Sequence, residues 1–252
     1  MTSIPNKSRL IDDRWLAGAA LAAVIALCWG WIAPMALDMY GPMTGSSAWM
    51  MTRDWDFTHQ ALLFAMWAVM MTGMMLPSAA PAIFHYISAA RRSGDGEHIL
   101  TRMFAFAAGY LAVWILFSLL VTALQLGLTN ISLLSPMMAL RSRWLGGALV
   151  LLAGTYQFTP WKQQCLGCCR SQVIYSGAFK TGARNGLSCL GCCWALMLLL
   201  FVGGVMNLWW LCALTILVVL EKLAFRGCPD PRLSGALLLA AGVWILRPGI
   251  VG

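Results

Sequence analysis

The sequence predicts an all-α fold: a polytopic bundle of six to seven transmembrane helices, one integral membrane domain from residue 1 to residue 252, with the N-terminus in the cytoplasm. Composition is the first of three observations behind this. Of the residues 60% are hydrophobic and only 10% charged, with a mean hydropathy of +0.76, whereas a soluble domain carries about 25% charged residues to present a wet surface. The second is that the apolar residues come in blocks of about 20, the length that crosses a bilayer as a helix. In lipid a helix also satisfies its own backbone polar groups. The third is where the positive charges fall. A formal net charge of +8 would suit nucleic acid, but the basic residues are dispersed between apolar blocks, as topology determinants and contacts to anionic headgroups are. Nucleic acid is therefore rejected as a partner, and the lipid bilayer is expected.

The first block, 14–37, reads as a retained helix. A cleavable signal peptide is its rival, disfavoured by Asp12 and Asp13 in front of the block and by the lack of a small-x-small exit. After a polar stretch holding Asp38, Asp54 and Asp56, the second helix covers 59–86, and Pro77 and Pro81 should bend its last turns. The third helix follows at 102–128 and the fourth at 143–159, while residues 160–184 read as a polar loop. Helices five and six, 185–205 and 207–225, meet at Gly203-Gly204, which leaves chain only for a tight hairpin. The last block, 233–251, is short, and spans fully only if residues 248–251 join it. Threading the chain from a cytoplasmic N-terminus leaves thirteen Lys and Arg in inner segments. Four, Arg53, Arg141, Arg143 and Arg247, fall outside, which is the positive-inside bias.

Nine cysteines could signal a disulfide framework, but that pattern belongs to small secreted chains. Six of them form a repeated pentamer, Cys-Leu-Gly-Cys-Cys, at 165–169 and again at 189–193. Both copies are expected at the inner face, where thiols stay reduced. On a helix Cys189, Cys192 and Cys193 share one face, which Met197 extends by a turn. Thiolates bind soft and borderline cations, and the CxxC spacing lets two sulfurs reach one ion. Cys165, Cys168, Cys169, Cys189, Cys192 and Cys193 are thus the candidate metal ligands. The competing explanation is palmitoylation or inert burial, both common for juxtamembrane cysteines.

Helix two adds a second sulfur pattern. Met66, Met70 and Met74 form a stripe about 12 Å long at helical rise, and Met71 and Met75 lie beside it. Thioethers suit Cu(I) and need no deprotonation, although methionine is also an ordinary filler of helix packing. His85, near the inner end of the same helix, could join the cysteines. Glu221 is an ionisable residue at the inner end of helix six, where it is costly unless paired or functional; Lys222 offers it a neighbouring charge. Cys28, Cys212 and Cys228 have no partner spacing, and the tryptophans, Trp209 and Trp210 among them, fit an interfacial belt. There is no phosphate-binding glycine loop, no HExxH and no credible Ser/His/Asp set.

The segments Trp67–Pro81, Tyr156–Arg170 and Gly186–Trp209, with Glu221 and Lys222, resemble a bacterial family of predicted metal-binding integral membrane proteins of unknown function. The resemblance implies a polytopic protein of the bacterial cytoplasmic (inner) membrane that handles a metal. Residues and resemblance together predict a Cu(I)-binding protein that transports or delivers the ion along a Cys/Met path, with a copper chaperone or copper enzyme as client. Two other classes fit the cysteines. One is a membrane thiol–disulfide oxidoreductase. The other is an assembly factor holding structural Zn or an Fe–S cluster.

Overall fold

A computed structural model describes residues 7–39, 56–92, 99–135, 138–171, 177–223 and 231–247. Among them nearly every residue is helical: α1 (Lys7–Met39), α2 (Phe57–Arg92), α3 (Ile99–Asn130), α4 (Arg143–Gln157), α5 (Pro160–Ser171), α6 (Ala178–Leu198), the single turn α7 (Leu200–Gly203), α8 (Leu208–Leu223) and α9 (Pro231–Leu246). Four stretches are long and apolar enough to cross a membrane: Trp15–Met39, Phe57–Arg92, Ile99–Asn130 and Ala178–Gly203. Helix α4, with 15 residues, and α8 and α9, with 16 each, reach about 22–24 Å at 1.5 Å per residue, short of the hydrocarbon thickness of about 30 Å. Cys228 and residues 248–251, which bear on the last block, lie outside the described residues.

Two elements differ from expectation, and both move the cysteines. Residues 160–171 form a helix where a polar loop is expected. Lys162, Leu166 and the half-exposed pair Cys165 and Cys169 make its inner face, and Trp161, Gln164 and Cys168 its outer one. That is a helical period in a segment whose polarity reads as a loop. Helix α6 begins at Ala178, seven residues before the expected start. Cys189 therefore sits three turns, about 16 Å, inside the helix and not in its first turns.

Helix α2 runs unbroken through Pro77 and Pro81. Pro77 has no N–H to give the carbonyl of Gly73 four residues back; the Trp29 indole of α1 donates to that carbonyl instead, at 3.3 Å. Glycines set the closest approaches. A Cβ on Gly109 of α3 would land on the Phe179 carbonyl oxygen of α6, and one on Gly182 of α6 on the Phe106 carbonyl oxygen of α3. Backbones that close require small residues, the usual device where helices pack without a hydrophobic drive. Helix α9 lies antiparallel on α4 in the same way, Gly147 facing Leu246 and Gly154 facing Leu239.

Helices α2 and α6 are antiparallel. Trp67 meets Phe201, in the turn just after α6, at a tilt with ring centroids 5.5 Å apart, and the Tyr110 hydroxyl bridges the Met75 carbonyl and Cys189 further along. The buried core gathers between α1, α2, α3 and α6.

Candidate functional site

The two Cys-Leu-Gly-Cys-Cys segments pack on each other. Helix α5 lays its inner face on α6, and Gly191, the glycine of the second copy, makes room for Cys165 of the first: a Cβ there would stand 2.6 Å from the Cys165 Sγ. Cys169 of α5 reaches the Cys192 thiol of α6. Within α6 the Cys192 and Cys193 thiols both donate to the Cys189 carbonyl, at 3.1 and 2.9 Å. The interface is pinned from α4, where the Tyr156 hydroxyl donates to the Gly191 carbonyl and its ring meets Trp194 edge-on at 5.2 Å.

Burial divides the sulfurs. Cys189, Cys192 and Cys193 are buried, Cys165 and Cys169 are partly covered, and Cys168 is exposed. Burial raises the Cys165 thiol above its ordinary range, and the hydrogen bond to Cys192, then burial, raises Cys169 well above it. Both are neutral thiols at neutral pH, so loading them with a metal must release their protons. Among the described residues no three Cys, His, Asp or Glu side chains are grouped closely enough to hold a metal ion as they stand. The thiols are hydrogen-bonded to one another and to backbone, not drawn round a common point.

Cys189 has a set of partners that the sequence does not announce. Lys222 of α8 brings its Nζ to 2.6 Å from the Cys189 Sγ and donates to Ser78 Oγ of α2 at 2.9 Å. The Tyr110 hydroxyl of α3 lies 3.0 Å from the same sulfur and donates to the Met75 carbonyl at 3.1 Å. Four helices thus meet at one sulfur. Ser78, just after Pro77, and Lys222 fall in or beside segments already singled out, but nothing in the sequence signals Tyr110.

Glu221 does not rely on Lys222. It pairs with Lys162 of α5, Nζ to Oε2 at 2.6 Å with both side chains buried. Gln157 Nε2 and Ser234 Oγ donate to its other oxygen at 3.1 and 2.8 Å, and Lys162 also donates to Gln157 Oε1. Neighbours on a helix point about 100° apart, so Glu221 and Lys222 serve separate sites.

The helix-two methionines Met66, Met70, Met71, Met74 and Met75 are all fully buried, as is Met197. Because α2 runs opposite to α6, Met74 to Met66 and Cys189 to Met197 lead in the same direction away from the thiols. Met35 and Met39 of α1, buried at 1% and 0% exposure, are further interior thioethers that spacing on α2 could not reveal. His85 is exposed on α2, and the structure does not bring it into the buried thiol group.

No curated protein and no solved structure matches the chain. A family model described as PpoB2, copper chaperone, does, over residues 64–245, which takes in both cysteine segments, the α2 methionines, Glu221 and Lys222. The chain belongs to this copper chaperone family, and its function is copper-related.

Proposed function

We propose that this protein is an inner-membrane copper chaperone that holds Cu(I) between the thiols of α5 and α6 and delivers it to a copper-enzyme client. The observation that carries the reading is the packing of the two Cys-Leu-Gly-Cys-Cys segments, with Cys165 seated on Gly191 and Cys169 against Cys192. Cu(I) is satisfied by few soft ligands, so a pair of thiolates drawn from facing helices suffices. Rotation of the Cys192 or Cys193 side chain off the Cys189 carbonyl exposes a sulfur to such an ion without moving a helix. The Lys222 ammonium compensates charge beside Cys189, where an unpaired thiolate would be costly. Leu116, Leu119 and Leu120 turned outward on α3 support a lipid setting, and the bias of basic residues supports an inner-face location for the thiols.

The methionines extend the site. Neutral thioethers can pass a monovalent soft ion through an apolar interior by ligand exchange with no charge left behind. In this reading Met197, Met74, Met70 and Met66 continue the path from the thiols.

Element analysis of anaerobically purified protein tests the proposal. Wild type is expected to carry copper, and the variant with Cys165, Cys168, Cys169, Cys189, Cys192 and Cys193 all replaced by Ser to lose it, judged on monodisperse protein. Copper retained by that variant, or zinc, iron or a cycling Cys–Cys disulfide in place of copper, overturns it.

A further inference from the structure

The six motif thiols are equivalent in sequence but not in place. On α5, Cys168 is exposed, Cys165 half-covered over Gly191, and Cys169 in contact with buried Cys192. Successive sulfurs thus lead from the surface to the core, each within one helical turn or one helix contact of the next. The second copy has no such gradient, since all three of its thiols are buried. Helix α5 is also held in this orientation, because its Lys162 is buried in the ion pair with Glu221. The outward position of Cys168 is therefore set by the fold.

Resting on the copper reading above, we propose that the thiols of α5 form an ordered transfer series: Cys168 takes Cu(I) from a thiolate-bound donor at the surface, and Cys165 and Cys169 pass it to Cys192. Each step is an exchange of ligands at a copper that stays Cu(I). One Cu–S bond forms to the incoming cysteine, one Cu–S bond to the departing sulfur breaks, and the incoming thiol's proton goes to the departing thiolate. No oxidant or reductant is required. The surface thiol governs how fast copper arrives, because exchange depends on access to the attacking sulfur. The buried thiols govern how firmly it is kept.

Uptake kinetics separate these assignments. Full-length protein in detergent is mixed anaerobically with Cu(I) as its glutathione complex, desalted at timed intervals and assayed for copper. Cys168→Ser and Cys168→Ala are expected to reach the wild-type copper content at least about tenfold more slowly. Cys192→Ser should lose to a chelator wash the copper that wild type retains. Wild-type uptake rates in both Cys168 variants overturn the series while leaving copper binding intact. A wild type that takes up no copper overturns the copper reading itself, and the series with it.

Discussion

Lys222 Nζ stands 2.6 Å from Cys189 Sγ, so a lysine and a cysteine 33 residues apart form the polar centre of a site built from four helices. A cation so close to a sulfur in a low-dielectric interior compensates a thiolate that would otherwise be costly to bury. Replacing Lys222 by Met keeps most of the volume and removes the charge. The variant should remain folded and hold copper about tenfold or more weakly against a competing chelator. Equal retention by wild type and Lys222→Met would show that the ammonium does nothing for the ligand.

The buried pair Lys162–Glu221 predicts the opposite balance between stability and binding. Glu221→Ala leaves Lys162 buried without its carboxylate, at a cost of about 3–5 kcal/mol, whereas replacing both partners by apolar residues of similar volume recovers most of the loss. Thermal unfolding in detergent should show a large fall in midpoint for Glu221→Ala and a much smaller one for Lys162→Met with Glu221→Leu. A single variant that unfolds at the wild-type temperature would contradict the account.

Close helix crossing predicts a contrast between glycines. Gly182→Ala drives a Cβ into the Phe106 carbonyl and should destabilise by at least about 1–3 kcal/mol, the cost of overpacking. Gly127 lies within α3 with nothing near its Cβ position. There alanine should be neutral or stabilising by up to about 1 kcal/mol. Similar effects at the two sites would argue against the α3–α6 contact.

Thiol reactivity should follow burial. With a maleimide under native conditions, Cys168 is expected to label first. Cys165 and Cys169, half-covered and held as neutral thiols, should follow slowly, and Cys189, Cys192 and Cys193 should label only on unfolding. Mass spectrometry of timed digests gives the order directly. Early labelling of Cys192 would mean that α5 does not cover α6.

Methionine as ligand and methionine as filler differ in one measurable way. Met70→Leu with Met74→Leu preserves volume and should cost under about 1.5 kcal/mol. If the thioethers carry Cu(I), the double variant loads the thiols normally but passes copper on more slowly to an acceptor in reconstituted vesicles. Unchanged delivery would return these residues to packing alone.

Much of this architecture is legible in the chain. The apolar blocks mark the long helices because bilayer thickness and helical rise impose a length, and the Cys-Leu-Gly-Cys-Cys repeat marks out the two sulfur-bearing segments that the fold packs together. Boundaries were harder to read. Helix α5 has a helical period hidden in polar composition, since Lys162 faces inward to a partner that only the fold supplies. Adjacent charges at 221 and 222 invite pairing on paper, and helix geometry sends them apart.

What the sequence determined by itself was the long apolar helices, the sulfur inventory and a resemblance to a metal-handling membrane family, all of which depend on local pattern. The tertiary structure decided which sulfurs meet, that Cys189 has Lys222, Ser78 and Tyr110 around it, and that Cys168 looks outward while Cys192 looks in. Those relations come from contacts between residues distant along the chain, fixed by glycine-to-backbone crossings and one buried ion pair, and one-dimensional spacing carries no information about them.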